Sequence, residues 1–217
     1  MNFFFLGDIG GIIVELEVMG KKLFGYYVYL LLAWGCFRYW VRLPEVIEEL
    51  WFKPVIWLVP LFWWRISLKG KPKLFNNKWF LSGFMGMAVG LFYFSLIRLL
   101  TPASWEGLGG ANWSLNLIGI ALTTAVVEEI TFSGMVLGIL DWIRGKKLFN
   151  LVVLGFMVVG VHLPINIFVF GLQGKELVGV LVWLFSVAVI NGWLRRKTEN
   201  VTGSIIARFI LMLAVLG

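Results

Sequence analysis

Residues 125–140 read AVVEEITFSGMVLGIL, an apolar helical run with two adjacent carboxylates, Glu128 and Glu129, near its start. An acidic side chain at the centre of a membrane helix costs roughly 2.5–3.5 kcal/mol on insertion scales, so such a pair persists only where buried partners offset it. The run therefore predicts both a membrane helix and a site. Working outward, the apolar pattern extends over residues 114–142, which as helix would be roughly 43 Å long, more than a bilayer core requires. Such a helix must tilt, bend or project.

The composition agrees. Of 217 residues, 60% are hydrophobic and only 14% charged, a balance that a water-soluble domain does not show. This predicts an all-α polytopic membrane bundle in a lipid bilayer, with spans near residues 23–40, 50–64, 79–100, 114–142, 148–170, 177–194 and 202–217. Residues 1–20, interrupted by Asp8, Glu15 and Glu17, are expected to form an interfacial or partly inserted helix rather than a signal peptide. Pro164 is expected to kink or end the fifth span. The chain is read as one membrane domain, with N-terminal spans in residues 1–113 and a functional core in 114–217.

The net charge of +7 comes from basic residues gathered in short turns, at Lys21 and Lys22 and in residues 65–78, 144–147 and 195–197. These turns hold 13 of the 19 Lys and Arg residues, and alternation of the spans puts all of them on one side. That predicts an inside N-terminus and excludes a nucleic-acid role. The lone Cys36 falls inside a span and is read as packing. The sequons at Asn112 and Asn200 are assigned no glycan.

Adjacent helical residues point about 100° apart, so Glu128 and Glu129 must have different partners. Ser133, one turn after Glu129, is placed to donate to it. His162 is the only histidine, and it lies mid-span in the next helix. The short 144–147 turn makes the two helices antiparallel neighbours, so Glu128 and His162 can meet at mid-membrane. A glutamate and an imidazole sharing a water form a credible hydrolytic centre. Arg208 in the last span needs a buried acidic partner, Glu129 or Glu128, unless it snorkels to the surface. Asn191, Thr123 and Thr124 are further candidates for hydrogen bonding into the site. No metal or other cofactor is expected, because the two glutamates diverge and no HExxH arrangement is present. In residues 1–100 the sequence suggests topology but no chemistry.

The string EEITFSG, then GVHLP around His162, then RRKTENVTGSI before the last helix, resembles the CPBP family of intramembrane proteases, which includes type II CAAX prenyl endopeptidases. The resemblance covers residues 115–217. Glu128, Glu129, Phe132 and Gly134 match the family's first motif, EExxxR, with Ser133 at the Arg position. His162 matches the second, FxxxH, with Val158 at the Phe position. Thr202, Gly203 and Ser204 match the approach to the third, whose histidine and asparagine positions hold Met212 and Leu216. The resemblance implies that Glu128 activates water for peptide-bond attack, assisted by His162, with Glu129 structural or auxiliary. The implied substrate is a membrane-embedded or lipidated peptide or protein, and the implied setting is a bacterial or archaeal cell membrane. The substituted positions leave open a non-catalytic scaffold that keeps the cavity. A small transporter is a third reading, although no inverted repeat is visible.

Overall fold

A computed structural model of the chain describes residues 5–41, 43–66, 72–100 and 114–216. The 101–113 loop with Asn112, residues 67–71 of the basic loop, and the side chains of Asp8, Glu15 and Cys36 lie outside what is described. The apolar runs fold as helices, with no strand among the described residues: α1 (Phe5–Trp40), α2 (Glu45–Ile47), α3 (Lys53–Ile66), α4 (Trp79–Leu100), α5 (Leu115–Glu129), α6 (Leu137–Arg144), α7 (Lys147–Phe168), α8 (Gly174–Thr198) and α9 (Thr202–Leu216). Two π-helical turns, Glu48–Phe52 and Ile130–Val136, join α2 to α3 and α5 to α6. The protein is an all-α integral membrane bundle.

Among the described residues, four helices are long and apolar enough to cross a bilayer: Trp79–Leu99, Leu115–Ile143, Lys147–Phe168 and Gly174–Thr198; Thr202–Leu216 is a shorter apolar helix. Of the most apolar stretch of Leu115–Ile143, 83% is buried inside the protein, against 22–39% for the other three. The helix with the glutamates is thus the axis of the bundle. Outward-facing Phe80, Phe84 and Phe156 are each at least 65% exposed, as apolar side chains facing lipid can be.

Two expectations are revised. The boundary expected at Lys21 and Lys22 is absent, since α1 continues unbroken from Phe5 through both residues; Glu17 and Lys21 pair one turn apart across the expected break, and helix continues where no residue stops it. Pro164 does not end its helix, because α7 runs on to Phe168. Its ring packs over Gly35 of α1, where an added Cβ would lie 3.2 Å from the ring carbons.

The seventh expected span packs most closely on α4 and α5. Gly86 and Gly203 let α4 and α9 touch: a Cβ on Gly86 would stand 2.2 Å from the Gly203 carbonyl oxygen, the close small-residue contact by which membrane helices associate. Ser82 Oγ accepts from the Gly203 backbone N–H at 2.8 Å. Asn200, fully buried, donates to the Asn76 carbonyl at 3.0 Å. The TGS segment is therefore the fixed foot of α9. On the opposite flank, Trp34, Trp57 and Phe132 form successive edge-to-face contacts at 5.8 and 5.6 Å, tying α1 and α3 to the π turn after Glu129.

Candidate active site in the bundle interior

The π turn begins directly after Glu129. Such turns change the angular register of a helix and recur at functional sites. Glu128 and Glu129, each about 5% exposed, separate into two environments, as their angular spacing requires.

Glu128 is surrounded by positive donors. Its Oε1 accepts from Lys53 Nζ at 2.9 Å and lies 3.3 Å from His162 Nε2, while its Oε2 accepts from Arg208 Nη2 at 2.5 Å. His162 Nδ1 lies 2.9 Å from the Val158 carbonyl oxygen. A carbonyl can only accept, so Nδ1 carries a proton there, and Nε2 is the nitrogen turned toward the Glu128 carboxyl. Because Val158 contributes its backbone, the side chain at that position does not set this contact.

Glu129 meets neutral donors instead. Ser133 Oγ donates to its Oε2 at 2.5 Å and Asn191 Nδ2 to its Oε1 at 2.7 Å. Asn191 is held in turn by the Tyr93 hydroxyl, which donates to Asn191 Oδ1 at 3.1 Å. Arg208 is buried and turned inward, and its hydrogen bond goes to Glu128 rather than Glu129.

A cavity of about 260 Å³ reaches Glu128, His162, Arg208 and Lys53, with Met212 and Leu216 on its wall. A second space of about 10 Å³ lies deeper, among Glu128, Glu129, Ser133 and Arg208, room for about one water molecule. Glu128 borders both spaces, whereas Glu129 borders only the small one. The two carboxyls thus differ in access: Glu128 lines the larger cavity and Glu129 does not.

The first half of the chain also enters the site, contrary to expectation. Lys53 Nζ bridges Glu128 to Glu49 Oε2 at 2.8 Å, and Thr124 donates to the same Glu49 oxygen at 2.7 Å. Arg38 pairs with Glu48 and, at 2.9 Å, with Glu49. Lys53 also lies 5.6 and 5.5 Å from the ring centroids of Trp34 and Trp57. A signal for these residues exists in the sequence. Glu48 and Glu49 repeat the costly adjacent pair at the mouth of a span, and Glu49 and Lys53 have the i,i+4 spacing of a helical ion pair. Among the described residues, no three His, Cys, Asp or Glu side chains converge as a metal site.

Residues 110–214 match the family model for the Rce1-like type II CAAX prenyl endopeptidases. No curated protein and no solved structure matches the chain.

Proposed function

We propose that this chain, whose residues 110–214 match the Rce1-like type II CAAX prenyl endopeptidase family model, hydrolyses a peptide bond in a membrane-embedded or lipidated substrate by water activated at Glu128. The observation that carries this reading is the 3.3 Å approach of Glu128 and His162 on the wall of one 260 Å³ cavity. A carboxylate offers about four lone-pair sites. Lys53, His162 and Arg208 use three of them, which leaves one toward the cavity for a water. In the proposed reaction that water attacks the scissile carbonyl carbon as its proton passes to Glu128. His162 gives its Nε2 proton to the departing amine. Lys53 and Arg208, the cations flanking Glu128, face the charge that develops on the carbonyl oxygen, a task for which Met212 and Leu216 have no strong donor.

The test is cleavage of prenylated and unmodified peptides by the full chain reconstituted in vesicles, wild type against Glu128→Gln. Loss of a positioned acid or base group lowers turnover by roughly 10²–10⁴-fold. Equal cleavage by both proteins removes Glu128 from the mechanism.

A second reading rests on Met212 and Leu216, which give the cavity an apolar wall where the family pattern has polar residues. The chain is then a non-catalytic scaffold that holds a peptide in the same cavity. Under it, neither protein cleaves, and both retain the peptide.

A further inference from the structure

Away from this site, the basic residues of the 144–147 turn and those at 195–197 in the last turn of α8 lie on the same side of the bundle, because α7 begins where α8 finishes and the two helices pack together. Between those ends is a cavity of about 340 Å³, lined by Lys147, Leu148 and Leu151 from α7 and by Trp193, Arg196 and Lys197 from α8. That volume lies at the lower end of the range of roughly 300–1,000 Å³ for small-ligand sites.

One wall is apolar and the other cationic. Leu148 and Trp193 are 77% and 47% exposed, in the arrangement expected of side chains at the boundary between lipid chains and headgroups. Arg196 forms the rigid part of the cationic wall. Its Nε donates to Asp141 Oδ2 at 2.8 Å, and its other two nitrogens donate to Asp141 Oδ1 and the Lys147 carbonyl. Asn150 holds Asp141 in place at 2.8 Å. The nearby carboxylate is therefore already engaged. Lys147 and Lys197 form no ion pair among the described residues, and α7 starts at this rim without a side-chain cap, which turns the positive end of its dipole the same way.

From this combination we infer that the cavity binds the phosphate-bearing headgroup of an anionic membrane lipid. Lys147 and Lys197 hold the phosphate against the Arg196 wall, and Leu148, Leu151 and Trp193 cover the glycerol and the first chain carbons. A cationic pocket between helix ends at the membrane surface matches this ligand in both charge and position. A soluble phosphate ester would leave the apolar wall without a partner. The inference does not depend on peptidase activity.

The experiment uses the full chain in detergent, stripped of lipid. Phosphatidylglycerol or phosphatidylcholine is titrated in, with bound lipid read by native mass spectrometry and stability by thermal unfolding. The expected result is one retained phosphatidylglycerol and a raised Tm, with no such step for phosphatidylcholine. Lys147→Gln/Lys197→Gln weakens phosphatidylglycerol retention by roughly 10- to 30-fold, the scale of two basic side chains at an anionic surface. Lys21→Gln/Lys22→Gln, which removes an equal charge elsewhere, leaves retention unchanged. Equal retention of the two lipids by the wild type, unchanged retention in the first double variant, or equal loss in both variants overturns the site. A Tm rise reproduced by inorganic phosphate alone overturns the lipid as its ligand.

Discussion

Two adjacent glutamate pairs are buried in this bundle, Glu48 and Glu49 beside one π turn and Glu128 and Glu129 beside the other. The first pair is neutralised mainly by residues close in sequence, Arg38 ten residues before it and Lys53 four residues after Glu49. Around Glu128 the cations arrive from far away, Lys53 at a separation of 75 residues and Arg208 at 80, with His162 at 34. Among the described residues, Glu129 has no cation within hydrogen-bonding distance, and it is held by Ser133 and Asn191. Burial alone therefore does not distinguish these four carboxyls. Both pairs are buried, but Glu128 is the carboxyl where three separate helices deliver polar groups to one cavity wall. Lys53 belongs to both pairs and couples them.

Breaking that coupling has the largest expected effect on stability. Lys53→Met leaves Glu49 and Glu128 each short of a cation, and losing one partner of a buried ion pair costs about 3–5 kcal/mol. Denaturant or thermal unfolding in detergent should show a loss of this size, and the double variant Lys53→Met/Glu128→Gln should recover part of it; no recovery would mean that Lys53 and Glu128 are energetically independent. Arg208→Met tests the C-terminal pair alone. It leaves Arg38, Glu48, Glu49 and Lys53 in place, so its cost falls at or below the lower end of the same range. A cost exceeding that of Lys53→Met would show that the site rests on the last helix and not on the bridge. The neutral side of the comparison is weaker still: Ser133→Ala, which removes one donor from Glu129, should cost about 1–3 kcal/mol, with less effect on turnover than Glu128→Gln. If turnover falls as far as in Glu128→Gln, Glu129 belongs to the chemistry. At the small end, the exposed Glu17 and Lys21 pair contributes little, and Lys21→Gln should leave the unfolding curve unmoved.

Helix positions were largely legible because apolar runs of membrane length and basic turns are local features of composition. The errors arose where a local rule met a tertiary contact. Lys21 and Lys22 looked like a boundary, but charge does not interrupt the backbone ladder, and α1 passes through them. Pro164 was expected to kink or end its helix, and it does not end it, since α7 runs on to Phe168. In the site, helical spacing led to Ser133 beside Glu129, and the short turn before α7 led to Glu128 facing His162. The choice of Glu128 over Glu129 by Arg208 was not legible, since it depends on which side of α5 faces α9. Lys53 was missed because nothing near it in sequence points to a partner 75 residues away.

The helical membrane character of this chain and the costly acidic pair at its centre are present in the amino-acid order alone, because hydrophobic length and charge are properties of the residues. How that cost is met depends on which helices pack together. Lys53 and Arg208 reach Glu128 from opposite halves of the chain, while Glu129 turns to Ser133 and Asn191. Those partners are set by helix packing and by the π turn, which rotates the faces that meet, and neither is written in the spacing of any one segment.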